Sequence, residues 1–124
     1  MMEEKNIKKP KGILKLIKAA GYSLEGLQSA IATEEAFRLE LILLVIGTIL
    51  AFFLDIAAIE RALMIASLML ILIVEIVNTA FEVTIERISS DRHALSKRAK
   101  DLGSAAVFLA VLNALMVWAI ILLG

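Results

Sequence analysis

The sequence predicts an all-α membrane protein: an amphipathic interfacial helix at the amino-terminal end, followed by three transmembrane helices. Three observations predict it. Of the 124 residues, 60% are hydrophobic and the mean hydropathy is +0.89, well above the roughly 45–50% apolar content of soluble domains. The apolar residues gather into three runs long enough, at 1.5 Å per helical residue, to cross a bilayer core of about 30 Å. The net charge is zero, yet six of the thirteen basic residues stand in the first eighteen positions. A chain of this length makes a single membrane domain. It has no cysteine and a single histidine, His93, so disulfides, thiolate sites and histidine-based metal sites are excluded, and any metal must be held by oxygen. Basic residues placed beside membrane spans argue against nucleic acid as a partner.

Residues 1–11 are polar and lysine-rich and carry the only proline, Pro10, which predicts a frayed tail. Over 12–33, Ile13, Leu14, Ile17, Leu24, Leu27 and Ile31 recur at spacings of three, four or seven, with Lys15, Lys18, Ser23 and Gln28 between them. That is the pattern of a helix lying in the membrane interface, with Gly21 and Gly26 as candidate breaks. The first membrane region covers 34–54, with Arg38 and Glu40 clustered at its start. Its amphipathic approach, acidic entry and lack of a small-residue cleavage site argue against a secretory signal peptide. A hairpin over Asp55–Arg61 leads to the second region, 62–88. A polar connection, Ser89–Lys100, leads to the third, 102–123.

Lysine and arginine flank the amino-terminal segment and the Arg87–Lys100 connection, while the first hairpin has only Arg61. The bias places the amino terminus and the second connection in the cytoplasm. Glu34, Glu35, Arg38 and Glu40, the stretch Glu75–Glu86, and Lys100 with Asp101 are then expected at one membrane face.

The stretch EIVNTAFEVTIER (Glu75–Arg87) carries the chemistry. At roughly 100° per residue, Glu75, Asn78, Glu82 and Glu86 share an arc of about 80°, so one face of a membrane helix is acidic. A carboxylate within a bilayer costs on the order of 3 kcal/mol even on lenient scales and persists only with a partner or a task. Oxygen donors at this level suit a hard divalent cation such as Mg²⁺, which commonly bridges substrate phosphates. Glu75 lies about 10 Å deeper than Glu82 along the helix axis, a depth suited to a lipid hydroxyl and to a general base. Glu82 is the better metal ligand, with Glu34 as a second, and Lys100 offers charge for a polyphosphate. The helix dipole by itself accounts for Glu35 and Glu40 near a helix start. No Walker-type or kinase glycine-rich loop occurs. A small oligomeric transporter or channel, with Glu75 carrying protons or cations, is the competing class. One-sided clustering of charge favours an interfacial site over a conduction path.

IKAAGYS (Ile17–Ser23), EEAFRLE (Glu34–Glu40), IVEIVNTAFE (Ile73–Glu82) and RAKDLGSAAV (Arg98–Val107) resemble the small prokaryotic diacylglycerol kinases, and the resemblance covers nearly the whole chain beyond the tail. It implies a homotrimer in the bacterial inner membrane, and transfer of the ATP γ-phosphoryl group to diacylglycerol, giving phosphatidic acid. The nearest alternative is an undecaprenol kinase of the same family. The resemblance implies Glu75 as catalytic base with Asn78 orienting it, and Mg²⁺ on Glu34 and Glu82. It implies nucleotide contacts at Lys15, Tyr22, Glu34, Glu82, Asp91, Arg92, His93, Lys100 and Asp101. Contacts with the lipid substrate are implied at Lys15, at Ala19, Ala20, Gly21, Tyr22, Ser23 and Leu24, and at Gln28, Ser29, Ala30 and Ile31. They extend to Ala36, Phe37, Arg38, Leu39, Glu40, Glu75, Ser104 and Trp118. Four positions depart from the family relative: Lys15 stands for an arginine, which replaces a bidentate fork by a point charge, Glu35 for a small residue, Glu86 for a shorter acid and Arg92 for an aromatic.

Overall fold

The computed structural model describes residues 11–88 and 91–124; most of the expected tail, and Ser89 and Ser90 of the expected connection, lie outside the described residues. The described residues form four helices: α1, Ile13–Thr33; α2, Glu35–Phe53; α3, Ala58–Ile88; and α4, Ala94–Leu123. They fall into two compact units, one ending at Glu34 and containing α1, the other Glu35–Gly124 and containing α2, α3 and α4.

Helix α1 starts after Gly12, whose φ of 63° is a left-handed conformation that glycine adopts without a side-chain penalty. It runs unbroken through Gly21 and Gly26, the candidate breaks, because a glycine costs a helix only about 1 kcal/mol. It stops where Glu34 turns extended, with φ −112° and ψ 107°, and the Glu34 N–H donates to the Ala30 carbonyl at 2.9 Å.

In the second unit α2 packs on α3 and α3 on α4. All three are long and apolar enough to cross a membrane, which makes this a multi-pass membrane protein. The loop between α2 and α3 is shorter than the Asp55–Arg61 hairpin expected, because α3 already begins at Ala58. Glu60, at the third helical position, reaches back to accept from the Ala57 N–H at 3.1 Å, one half of a capping box. Arg61 satisfies the open end of α2: its guanidinium donates to the Ala51 carbonyl at 2.8 Å and the Leu54 carbonyl at 3.0 Å, and it stands 5.3 Å from the Phe52 ring centre. These bonds occupy carbonyls that no helical N–H can reach.

Helix α4 starts at Ala94, so most of the expected polar connection is helix. His93 caps it, its Nδ1 accepting from the Leu95 N–H at 3.0 Å. Lys97 and Asp101 then pair one turn apart, Nζ to Oδ2 at 2.6 Å. Charged residues at i and i+4 belong as readily to a solvated helical turn as to a loop.

The core lies where the three helices cross, built on Leu68, Ile71, Ala110 and Ala114, with Leu44, Val74 and Trp118 against it. Here α2 offers Gly47. A Cβ at that position would collide with Leu68 Cδ1 and stand 3.3 Å from the Trp118 ring. The Met64 carbonyl accepts from Ser67 Oγ at 2.7 Å and from Trp118 Nε1 at 3.1 Å, and the latter bond joins α3 to α4.

Candidate active site at the polar end of the helical unit

The start of α2, the end of α3 and the start of α4 converge at one end of the second unit, and the polar side chains converge with them. Helix α3 presents Glu75, Asn78 and Glu82 at spacings of three and four, a single face. Their burial is graded: Glu75 is 8% exposed and Asn78 9%, while Glu82 is partly exposed. The Asn78 side chain donates through Nδ2 to Glu82 Oε1 at 3.4 Å. Its other amide atom, Oδ1, is buried without a protein hydrogen-bond partner. That amide lies against Gly103 of α4.

Helix α2 contributes Glu40, whose carboxyl group lies beside that of Glu75 and whose Oε2 is buried without a hydrogen-bond partner. The helix-dipole reading of Glu40 therefore needs correcting. The residue lies beyond the first turn of α2, which starts at Glu35, and on the side that meets α3. Phe37, one turn earlier, is buried at 2% exposure, whereas Ala36, Arg38 and Leu39 are exposed.

Beyond Glu82 an open depression of about 810 Å³ forms between the end of α3 and the start of α4. Asp91, Arg92, His93 and Lys100 border it, as do Glu86 and Lys97. Four of the nucleotide residues expected from the sequence thus surround one cavity. Asp101 is held by Lys97 at 63% side-chain exposure. Lys97 is a cation that sequence reasoning passed over, although its four-residue spacing from Asp101 signalled it.

Lys15, Tyr22, Glu34 and the expected lipid residues Ala19–Leu24 and Gln28–Ile31 belong to the α1 unit. Ser104 is exposed on α4. Trp118 stands away from the carboxylates, bordering an apolar hollow of about 260 Å³ with Leu43, Leu50, Val111 and Leu115.

No group of three or more metal-ligating acidic, histidine or cysteine side chains occurs among the described residues. The accessible donor on this face of α3 is the Glu82 carboxylate; the Asn78 oxygen is buried against Gly103. Hard oxygen atoms in small number fit Mg²⁺, which keeps several waters and completes its shell with substrate phosphates.

Three helices long and apolar enough to span a membrane, gathering carboxylates and an amide at one end beside a cavity bordered by charged side chains of both signs, define a multi-pass membrane protein with a polar site at one end of its helical unit. The comparisons with known proteins make the class specific. The family model for prokaryotic diacylglycerol kinase matches residues 21–122, and the chain belongs to that family. The diacylglycerol kinase of Escherichia coli K12 is 49% identical, over 90% of this chain and 91% of its own length. That of Pseudomonas aeruginosa is 50% identical over 91% and 92%, and that of Helicobacter pylori 35% over 89% and 86%. The chain is accordingly a lipid kinase with ATP as co-substrate.

Proposed function

We propose that the chain phosphorylates diacylglycerol to phosphatidic acid at the polar end of the α2–α4 unit, with Glu75 as the general base. The observation that carries this reading is a glutamate held 8% exposed in a membrane-spanning helix, with Asn78 and Glu82 on the next two turns toward the headgroups. A diacylglycerol anchored by its acyl chains offers its primary hydroxyl at that depth. Glu75 accepts the hydroxyl proton, the hydroxyl oxygen attacks the γ-phosphorus of ATP, and ADP leaves. Little covalent chemistry is asked of the protein, so positioning and charge neutralisation supply most of the acceleration. Asn78 orients Glu82 on the next turn of α3, and Glu40 fixes the Glu75 carboxyl from α2.

Glu34 and Glu82 are the residues that would hold Mg²⁺, and the metal would neutralise the β- and γ-phosphates. Lys100, Arg92, His93, Asp91 and Asp101 surround the polyphosphate and nucleoside; in the α1 unit, Lys15 and Tyr22 are further candidate nucleotide contacts. The α1 helix lies in the cytoplasmic interface of the inner membrane, with the amino terminus in the cytoplasm, and presents Ala19–Leu24 and Gln28–Ile31 to the lipid. Ser104 and Trp118 mark the acyl-chain side. Three spans enclose too little surface to exclude water from such a site, which favours a homotrimer with sites shared between subunits.

The test is Glu75→Gln, assayed in mixed micelles with labelled ATP and diacylglycerol. General-base removal costs about 10²–10⁴-fold in rate, and a loss of that size with unchanged helicity and oligomeric size is expected. Turnover near the wild-type rate from the folded variant would remove Glu75 from the role.

A further inference from the structure

The Asn78–Gly103 contact is unusual among the helix crossings. Asn78 is 9% exposed, carries a buried oxygen with no partner, and points its amide at the one place on α4 where no side chain stands. A Cβ at Gly103 would collide with Asn78 Oδ1 and stand 3.1 Å from Asn78 Cγ, but it would lie 3.8 Å from Asn78 Cβ, ordinary van der Waals separation. The conflict is therefore with the amide group and not with the path of the helix. Flanking residues on α4 are larger: Leu102 before it and Ser104 after it.

We propose that Gly103 is a positioning residue for phosphoryl transfer: its missing side chain is the seat that holds the Asn78 amide in line with Glu82. This rests on the assignment of Glu75, Asn78 and Glu82 to the reaction. Asn78 Nδ2 reaches Glu82 Oε1 at 3.4 Å, a long bond that survives only while the amide stays seated. Filling the seat turns the amide aside and releases the Glu82 carboxylate from its orientation. Nothing about Gly103 itself touches lipid, nucleotide or metal in this scheme; it acts through Asn78 alone.

The experiment is a double-mutant cycle of Gly103→Ala and Asn78→Ala, read in two ways. In metal-free, nucleotide-free micelles, the side-chain amide resonances of Asn78 are assigned by their loss in Asn78→Ala and followed in Gly103→Ala. They are expected to shift; unmoved resonances overturn the proposal. In the assay, Gly103→Ala is expected to lower kcat by about tenfold and raise the half-saturating Mg²⁺ concentration, leaving the KM for diacylglycerol within about twofold. In the Asn78→Ala background the same substitution is expected to change nothing further, because the amide it would displace is gone. An equal loss in both backgrounds overturns the proposal, since Gly103 would then act on helix packing. If Gly103→Ala does not fold, recovery of the fold in the double variant supports the contact and a failure there overturns it. Should Asn78→Ala itself leave activity and Mg²⁺ dependence unchanged, the reading of the site fails and the proposal falls with it. A damaging Asn78→Ala with an additive Gly103→Ala removes the proposal alone.

Discussion

Helix α3 buries polar side chains at two levels, and the two are handled differently. At the apolar level Ser67, 4% exposed, gives its hydroxyl to the Met64 carbonyl of its own helix at 2.7 Å. Three turns on, Asn78 leaves an equally buried oxygen without a partner. Both levels also use a glycine from a neighbouring helix to admit a large group. Gly47 of α2 admits Leu68 and Trp118, and Gly103 of α4 admits the Asn78 amide. The same device closes the core at one level and leaves hydrogen-bonding capacity open at the other. A buried polar atom left unsatisfied costs about 1–3 kcal/mol, so the Asn78 oxygen, unlike the Ser67 hydroxyl, is kept at a cost to stability.

If the polar level serves chemistry, its variants change catalysis before they change stability. Glu82→Gln and Glu34→Gln are each expected to raise the Mg²⁺ concentration needed for half-maximal activity by about tenfold, at the lower end of what disturbing a metal's surroundings costs, with the unfolding midpoint in detergent nearly unchanged. A titration of activity against free Mg²⁺ measures this directly. An unaltered titration in both variants would reassign the ligands and leave Glu82 as a partner of Asn78 only.

The polar level, though not its counterpart, was legible in the sequence. The three spans announced themselves by length and hydropathy, and the i, i+3, i+7 spacing of Glu75, Asn78 and Glu82 put them on one helical face. What periodicity carries is the face of a residue, and what it omits is the neighbour opposite. Glu40 read as a helix-start acid because its pairing with Glu75 depends on how α2 crosses α3. The Gly103 seat depends likewise on the register of α3 against α4, which no local pattern encodes. The start of α4 was obscured for a different reason: Ala94–Lys100 is polar enough to resemble a loop, and although the Lys97–Asp101 spacing hinted at a helix, the His93 cap that starts it is recognisable only once a boundary is fixed.

The apolar level is expected to show the reverse order of effects. Gly47→Ala forces a methyl group against Leu68 Cδ1 and the Trp118 ring, and overpacking of this kind costs about 1–3 kcal/mol. The unfolding midpoint should fall, while the folded protein keeps the wild-type kcat and the wild-type Mg²⁺ dependence. A selective loss of kcat in Gly47→Ala without loss of stability would erase the distinction between the two levels, since a contact remote from the carboxylates would then be governing the reaction.

The smallest effect is expected from Ser67→Ala, and it is the sharpest check on why Asn78 differs. Removing the Ser67 hydroxyl deletes a donor together with its need for an acceptor, and the Met64 carbonyl keeps its bond to Trp118 Nε1 at 3.1 Å. No buried polar atom is orphaned, so the net loss should be about 0.5 kcal/mol, the low end for a hydrogen bond, with activity unaffected. Thermal unfolding in detergent measures it. A cost of several kcal/mol would mean that the hydroxyl tethers α3 to α4 through the shared Met64 carbonyl. The apolar level would then depend on a polar network as the reactive level does, and burial of a polar group in α3 would no longer distinguish structure from chemistry.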